Sequence, residues 1–369
     1  MDFAPTPQQQ ILTQSARAFL QQHCPPERVQ ALALEPGGFA GDLWKAMATL
    51  GWPGLLIAAD LGGGSGSALD VIALVEEMGR ACLPSPFIPS AVVATSMLAA
   101  VPASHRVGRL LSALALGDRI ATVALLEESG RHDAGAITTR GEAPGQLTGR
   151  KLFVKDAHIA TDLVVIARGG GGVNALVLPS DRPGITRLPL DVMGDEKLFE
   201  VRFDDVEIRS EDLLGAAGLG ADLLTPAMRL GALARSAEMV GAAGHILDLC
   251  VEHARVRVQS GRPIGAFQAI QHHLADLLRD VEASRWLVYD AAWRVAEGLD
   301  EAPAVATAKA FCAEACLRVA RRGHQIMGAV GYCEEHPLHL FHKRILAASL
   351  DWGDAALHLE TVARSIGLA

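Results

Sequence analysis

Apolar positions recur at helical spacing over roughly the first 118 residues, give way to short β-branched runs between Ala121 and Ile208, and return to helical spacing in the last third. Loops at Glu35-Pro36-Gly37-Gly38 and Leu61-Gly62-Gly63-Gly64-Ser65-Gly66 punctuate the first stretch, with a helical segment from Leu69 to Met78. In the middle, Thr122 to Leu126, Lys151 to Lys155, Leu163 to Ala167, Ala175 to Leu178 and Phe199 to Phe203 read as strands. Turns at Gly169 to Gly172, Ser180 to Gly184 and Met193-Gly194-Asp195 separate them. No long helix lies between these runs, so the small sheet is expected to be antiparallel.

The C-terminal third predicts four long helices. Thr225 is a candidate N-cap with Pro226 at the first helical position, opening a helix to about Arg257. Others run from about Phe267 to Glu297, from Pro303 to Met327, and onward from Pro337. Short loops between long helices are the signature of an antiparallel bundle. The expected fold is α+β, mainly α: an N-terminal helical domain (1–118), a small antiparallel β domain (119–222) and a C-terminal antiparallel four-helix bundle (223–369).

Half of the residues are apolar, enough for a large core, and the formal net charge is -9. No run of Lys or Arg could follow a phosphate backbone, which excludes nucleic acid as an expected partner. Apolar stretches such as Val92 to Val101 fall short of the roughly 20 residues that cross a bilayer. The start, MDFAPTPQQQ, has no signal-like region. The six cysteines form no CxxC pair and read as cytosolic free thiols, so a cytoplasmic location is expected. Cys312 and Cys316, one turn apart, read as small buried residues, and no metal site is proposed.

Two segments carry candidate chemistry. In R-V-Q-S-G-R-P-I-G-A-F-Q (257–268), Arg257 and Arg262 flank a turn that leads into a new helix, an arrangement able to hold a pyrophosphate. In Q-I-M-G-A-V-G-Y-C-E-E-H-P (325–337), Gly328 and Gly331 end a helix and allow close approach of backbone to a ligand. Alone, these two segments are better described as a solvated interhelix loop and a glycine helix cap. Together, with L-G-W-P-G-L-L-I-A-A-D-L-G-G-G at 50–64, G-R-K-L-F-V-K-D-A-H-I-A-T-D-L-V-V at 149–165 and E-V-R-F-D-D-V-E-I at 200–208, they resemble the acyl-CoA dehydrogenase family along the whole chain.

The resemblance implies FAD, an acyl-CoA substrate, a carboxylate that removes the α-proton, hydride transfer to the flavin and an electron-transferring flavoprotein as acceptor. It makes Arg257 the contact to the FAD pyrophosphate of a neighbouring subunit. Gln325 and Gly328 become the cover over that neighbour's adenosine, and an oligomer, a dimer or tetramer of like or related chains, becomes part of the function. The usual base position falls on Trp352, whose indole cannot accept the proton. A one-residue shift offers Asp351. The alternative position, on the first bundle helix, falls on Ala234, with Glu238 one turn on. Flavin-facing hydroxyls are replaced at Leu126, in Leu126-Glu127-Glu128, and at Lys155, in Phe153-Val154-Lys155, where Phe153 keeps an aromatic wall.

These departures lead to the expectation of one half of a heteromeric α2β2 acyl-CoA dehydrogenase, acting on a bulky acyl-CoA such as a steroid side chain or ring product. An autonomous homomer using Asp351 or Glu238 as a displaced base is a second reading. A non-catalytic binding protein on the same scaffold is a third.

Overall fold

A computed structural model describes residues 5–35, 37–102, 104–192 and 196–368. Pro36 and the expected turn at Met193-Gly194-Asp195 lie outside the described residues, as do residues 1–4.

The chain opens with helices α1 (Pro7–His23), α2 (Pro26–Leu34), α3 (Gly41–Thr49) and α4 (Ala68–Arg80). A π-helical segment, Ile88–Ala94, runs into α5 (Thr95–Ala99), followed by α6 (His105–Ala115). Local chemistry sets several boundaries: Thr6 with Gln9 caps α1 and Ser67 with Asp70 caps α4, each as a reciprocal capping box.

The strands follow as β1 (Ala121–Ala124), β2 (Arg140–Gly141), β3 (Gly145–Lys155), β4 (Asp162–Gly169), β5 (Gly172–Pro179), β6 (Ile185–Pro189) and β7 (Leu198–Ile208). The expected runs form the cores of five of these, while β2 and β6 lack the apolar runs that would have marked them. Pairing is mostly antiparallel: β3 with β7, β4 with β5, β6 with β7 and β2 with β3. β1 and the end of β2 add to β4 in parallel. β4 is buried on both faces, so its sequence is continuously apolar instead of alternating. Val164 and Ile166 point to the helices, and Leu163, Val165 and Ala167 to the interior of the sheet.

The bundle comprises α7 (Gly220–Val256), a two-stranded hairpin of β8 (Val258–Gln259) and β9 (Arg262–Pro263), then α8 (Gln268–Ala296), α9 (Ala302–Met327), α10 (Leu338–Leu350) and α11 (Ala355–Ser365). Helix α7 begins at Gly220, so Thr225 is not its N-cap and Pro226 sits inside it. The Thr225 hydroxyl instead donates to the Ala221 carbonyl at 2.9 Å. Pro226 there cannot donate to the Asp222 carbonyl, and the helix continues through it on its packing.

Over residues 231–244 helix α7 is buried all round between α4 and the other bundle helices, and it meets α4 backbone to backbone. A Cβ on Gly241 would lie 1.9 Å from the Glu76 carbonyl oxygen, and one on Gly79 would lie 2.1 Å from that of Glu238. Only glycine permits this crossing, which sets the height of Glu238 against the N-terminal helices. Among the described residues, no helix is long and apolar enough to cross a membrane. Replacing Gly241 with Ala should force the two helices apart and cost about 3 kcal/mol, read as a lower urea midpoint; an unchanged midpoint contradicts the contact.

Candidate active site

Burial of a cation inside α7 organises the site. Arg235 follows Ala234 in an almost wholly apolar stretch, and its guanidinium is 95% buried. Its Nε donates to Asp351 Oδ2 at 2.7 Å and its Nη2 to Glu196 Oε1 at 2.7 Å, while Nη1 pairs closely with Glu238. Arg344 of α10 donates to the other oxygen of Glu238 at 3.1 Å and to the Leu83 carbonyl at 3.1 Å. Lys155, at the end of β3, pairs closely with Glu196 and lies 3.3 Å from Asp351 Oδ2.

Three cations thus meet three carboxylates drawn from the β domain, α7, α10 and the loop after α10. Burial alone would push the Glu196 carboxyl up, but Arg235 and Lys155 outweigh it and hold the group well below the usual range. Burial likewise opposes the Arg235 charge, and Glu196, Glu238 and Asp351 overcome it.

The loop after α10 is fixed independently. Lys309 of α9 is fully buried, and its Nζ donates to the carbonyls of Ala348, Ser349 and Gly353 at 3.0, 2.8 and 2.9 Å. This caps α10 and ties the loop, in the role that cations take at helix C-termini. Trp352 takes φ +56° and Gly353 φ +101°. The indole lies against α7 where Gly231 leaves room: a Cβ at Gly231 would be 3.2 Å from its ring. Trp352 is 92% buried, and its indole N–H has no hydrogen-bond partner among the described residues. It therefore sits there for its volume.

Leu126, Phe153, Lys155, Asp351, Trp352 and His132 surround a cavity of about 30 Å³, room for a single water. Phe153 is half exposed at φ +55°, where the register of β3 against β7 shifts. Glu127, next to Leu126, points the other way into the β domain. It accepts from the backbone N–H groups of Thr138 and Thr139 at 2.7 and 2.9 Å and from Lys151 Nζ at 2.8 Å. Burial pushes the Glu127 carboxyl up, but these donors bring it down to about 2.

The remaining named residues stand elsewhere. Arg257 follows α7, exposed and with no ion pair among the described residues, and Gln325 and Gly328 are exposed at the end of α9. The Cys250 thiol approaches the Gly323 carbonyl at 3.8 Å, so these helix ends lie side by side. Gly328 has φ +65° and ψ -145°, a backbone conformation open in practice only to glycine, with open space beside its Cα. Ser260 and Gly261, both at positive φ, turn the β8–β9 hairpin, and Arg262 stacks over Phe267 at 4.3 Å.

From Gly231, beneath Trp352, to Val256 is 25 helical residues, about 38 Å. The candidate residues therefore form two groups along α7. Phe153, Lys155, Glu238, Asp351 and Trp352 gather about its middle, and Arg257, Gln325 and Gly328 at its C-terminal end. Glu196, Arg344 and Lys309 were not singled out from the sequence. A lone Lys in A-V-A-T-A-K-A-F-C-A was the available signal for Lys309, while nothing local marks Glu196.

Comparison with known proteins gives a consistent picture. Residues 6–118 match the model of the acyl-CoA dehydrogenase N-terminal domain, and residues 218–367 that of the C-terminal domain. The acyl-CoA dehydrogenase IpdE2 of Mycobacterium tuberculosis is 30% identical over 92% of this chain and 91% of its own. A chain of the ChsE4-ChsE5 complex from Mycobacterium tuberculosis superposes with a TM-score of 0.92 at 28% identity, covering 100% of both chains. Butyryl-CoA dehydrogenase from Megasphaera elsdenii gives a TM-score of 0.92 at 26% identity, covering 99% of this chain and 100% of that one.

Two outcomes are expected. Lys309→Met leaves three buried carbonyls without a donor and should cost about 3 kcal/mol, with increased hydrogen exchange confined to residues 348–354; exchange unchanged there contradicts the tether. Because Glu127 is held at about 2 instead of 4.5, its contribution is complete above pH 4.5 and is lost as pH falls through that value toward 2. The loss amounts to about 3 kcal/mol. A Glu127→Gln chain should be less stable at pH 7 and lose correspondingly less between pH 4.5 and 2 in urea titrations.

Proposed function

Since the chain belongs to the acyl-CoA dehydrogenase family, oxidoreductases that act on a CH–CH bond, we propose that it works as one subunit of a heteromeric, FAD-dependent acyl-CoA dehydrogenase. The observation that carries this reading is the opposite state of the two residue groups along α7. Around Trp352, the space among Leu126, Phe153, Lys155 and Trp352 is water-sized, and the Lys155 ammonium is committed to Glu196 and Asp351. As packed, those residues leave no room between them for an isoalloxazine ring, although Trp352 also borders a cavity of about 400 Å³ on its other side. At the C-terminal end, Arg257 is exposed and unpaired among the described residues, and Gly328 offers bare backbone, which suits a pyrophosphate and a nucleoside brought by another subunit.

When bound, FAD supplies the hydride acceptor. This chain's part is to bind and orient: Arg257 pairs with the cofactor phosphates, while Gln325 and Gly328 cover the adenosine. Asp351 and Glu238, the two displaced-base candidates, each meet two cations, so neither carboxylate is free to take an α-proton. The base then belongs to the related subunit, and electrons leave to an electron-transferring flavoprotein. The substrate class favoured is a bulky acyl-CoA, by analogy with the Tcur3481-Tcur3483 steroid ACAD, a structural relative at 26% identity.

Purifying the chain alone and coexpressed with a related subunit, then measuring bound flavin and dye reduction, tests this. Expected are substoichiometric FAD and no turnover for the lone chain, and FAD with turnover for the pair. In the pair, Arg257→Ala should weaken FAD binding at least tenfold, and Asp351→Asn should lower kcat far less than the ~100-fold loss typical of a missing base. Full FAD occupancy and turnover by the lone chain would overturn the proposal.

A further inference from the structure

Helices α1, α4, α7 and α10 leave a cavity of about 280 Å³ between them, lined by none of the residues of the ionic cluster. It persists because Pro25-Pro26 turn the chain away after α1, and because the positions that could close it carry the small residues Cys24 and Ala81. Leu20 and Phe341, both nearly fully buried, form its apolar floor. The His245 ring stacks on Phe341, with centroids 4.4 Å apart.

The charged residues at the mouth are already satisfied. Arg17 holds Glu77 through two bonds of 2.8 and 2.6 Å, and Arg80 pairs closely with Asp248. Burial, reinforced by Arg80, pushes the His245 imidazole down to about 4, and burial pushes the Cys24 thiol up to about 11, so both are neutral near pH 7. A wall with no unpaired charge offers nothing to offset the desolvation of an ion. An apolar cavity of about 150 Å³ suffices for benzene, so this one has room for a two-ring molecule.

We propose that this cavity is a second small-molecule site, which takes a neutral, ring-containing molecule with one hydrogen-bonding group, its ring against Leu20 and Phe341 and its polar group on His245. The proposal is independent of the heteromer reading. It has a mechanical consequence, because the same helices carry the ionic cluster. His245 lies ten residues beyond Arg235 on α7, about 15 Å along the axis, and Phe341 lies one turn before Arg344 on α10. An occupant braces both.

Indole, neutral and with a single N–H donor, is a suitable probe. Calorimetric titration of the full chain should show saturable one-to-one binding with a Kd of about 1 mM or tighter, and the His245 ring-proton resonances should shift along the same isotherm. Ala81→Phe and Cys24→Leu fill the cavity from opposite walls, and each should weaken binding at least tenfold. Absence of saturable binding, or binding unchanged in a folded variant, overturns the site. Should one variant fail to fold, the other decides. Unmoved His245 resonances in the unaltered chain overturn the placement whatever the variants do.

Discussion

Burial of the Arg235 guanidinium is the constraint around which the rest is arranged. A lone charge inside a protein costs more than a fold's whole net stability, so Arg235 can lie within α7 only if carboxylates reach it. They come from separate places: Glu238 from the next turn, Glu196 from ahead of β7, and Asp351 from the loop after α10. Arg344 and Lys155 balance the excess negative charge and extend the cluster. The bare crossing of Gly79 and Gly241 brings α4 and α7 together at the height where this happens. Such a buried cluster contributes little net stability relative to apolar packing but strongly penalises any arrangement that separates its members.

That arrangement has a chemical cost. The bonds that neutralise Arg235 and Arg344 engage both displaced-base candidates, Asp351 and Glu238. The loop that should carry a base is held by Lys309 in a conformation that lays Trp352 against Gly231. The far ends of α7 and α9 are built differently. There Arg257 faces outward, and a glycine ends the helix with its backbone uncovered. The middle of α7 is committed to its own chain, while its C-terminal end carries a cation with no ion pair among the described residues.

Much of the site was legible residue by residue. Leu126, Phe153, Lys155 and Trp352 were picked out from widely separated motifs, and they do surround one small space. Their partners were not legible. Glu196 is 41 residues from Lys155 by hydrogen-bond separation, and Asp351 is 116 from Arg235; no local pattern couples such positions. Glu127 read as part of a degraded flavin motif, whereas it is a buried structural acceptor for Lys151. Lys309 carried a signal in being the lone charge of an apolar helix face, but its three carbonyl partners lie on another helix and its loop.

By itself, the sequence determined the order of helices, sheet and bundle, because hydrophobic periodicity and turn chemistry act over a few residues. It also set which side chains stand at the positions that the family resemblance makes flavin-facing, since that is a matter of identity alone. Tertiary structure decided where α7 starts, because its packing carries the helix through Pro226 back to Gly220. It decided too that Asp351 and Glu238 are ion-pair partners of Arg235, and that Arg257 stands far along α7 from Trp352. Whether a charge is free, paired or within reach depends on distances between elements remote in the chain, and these exist only once the elements have packed.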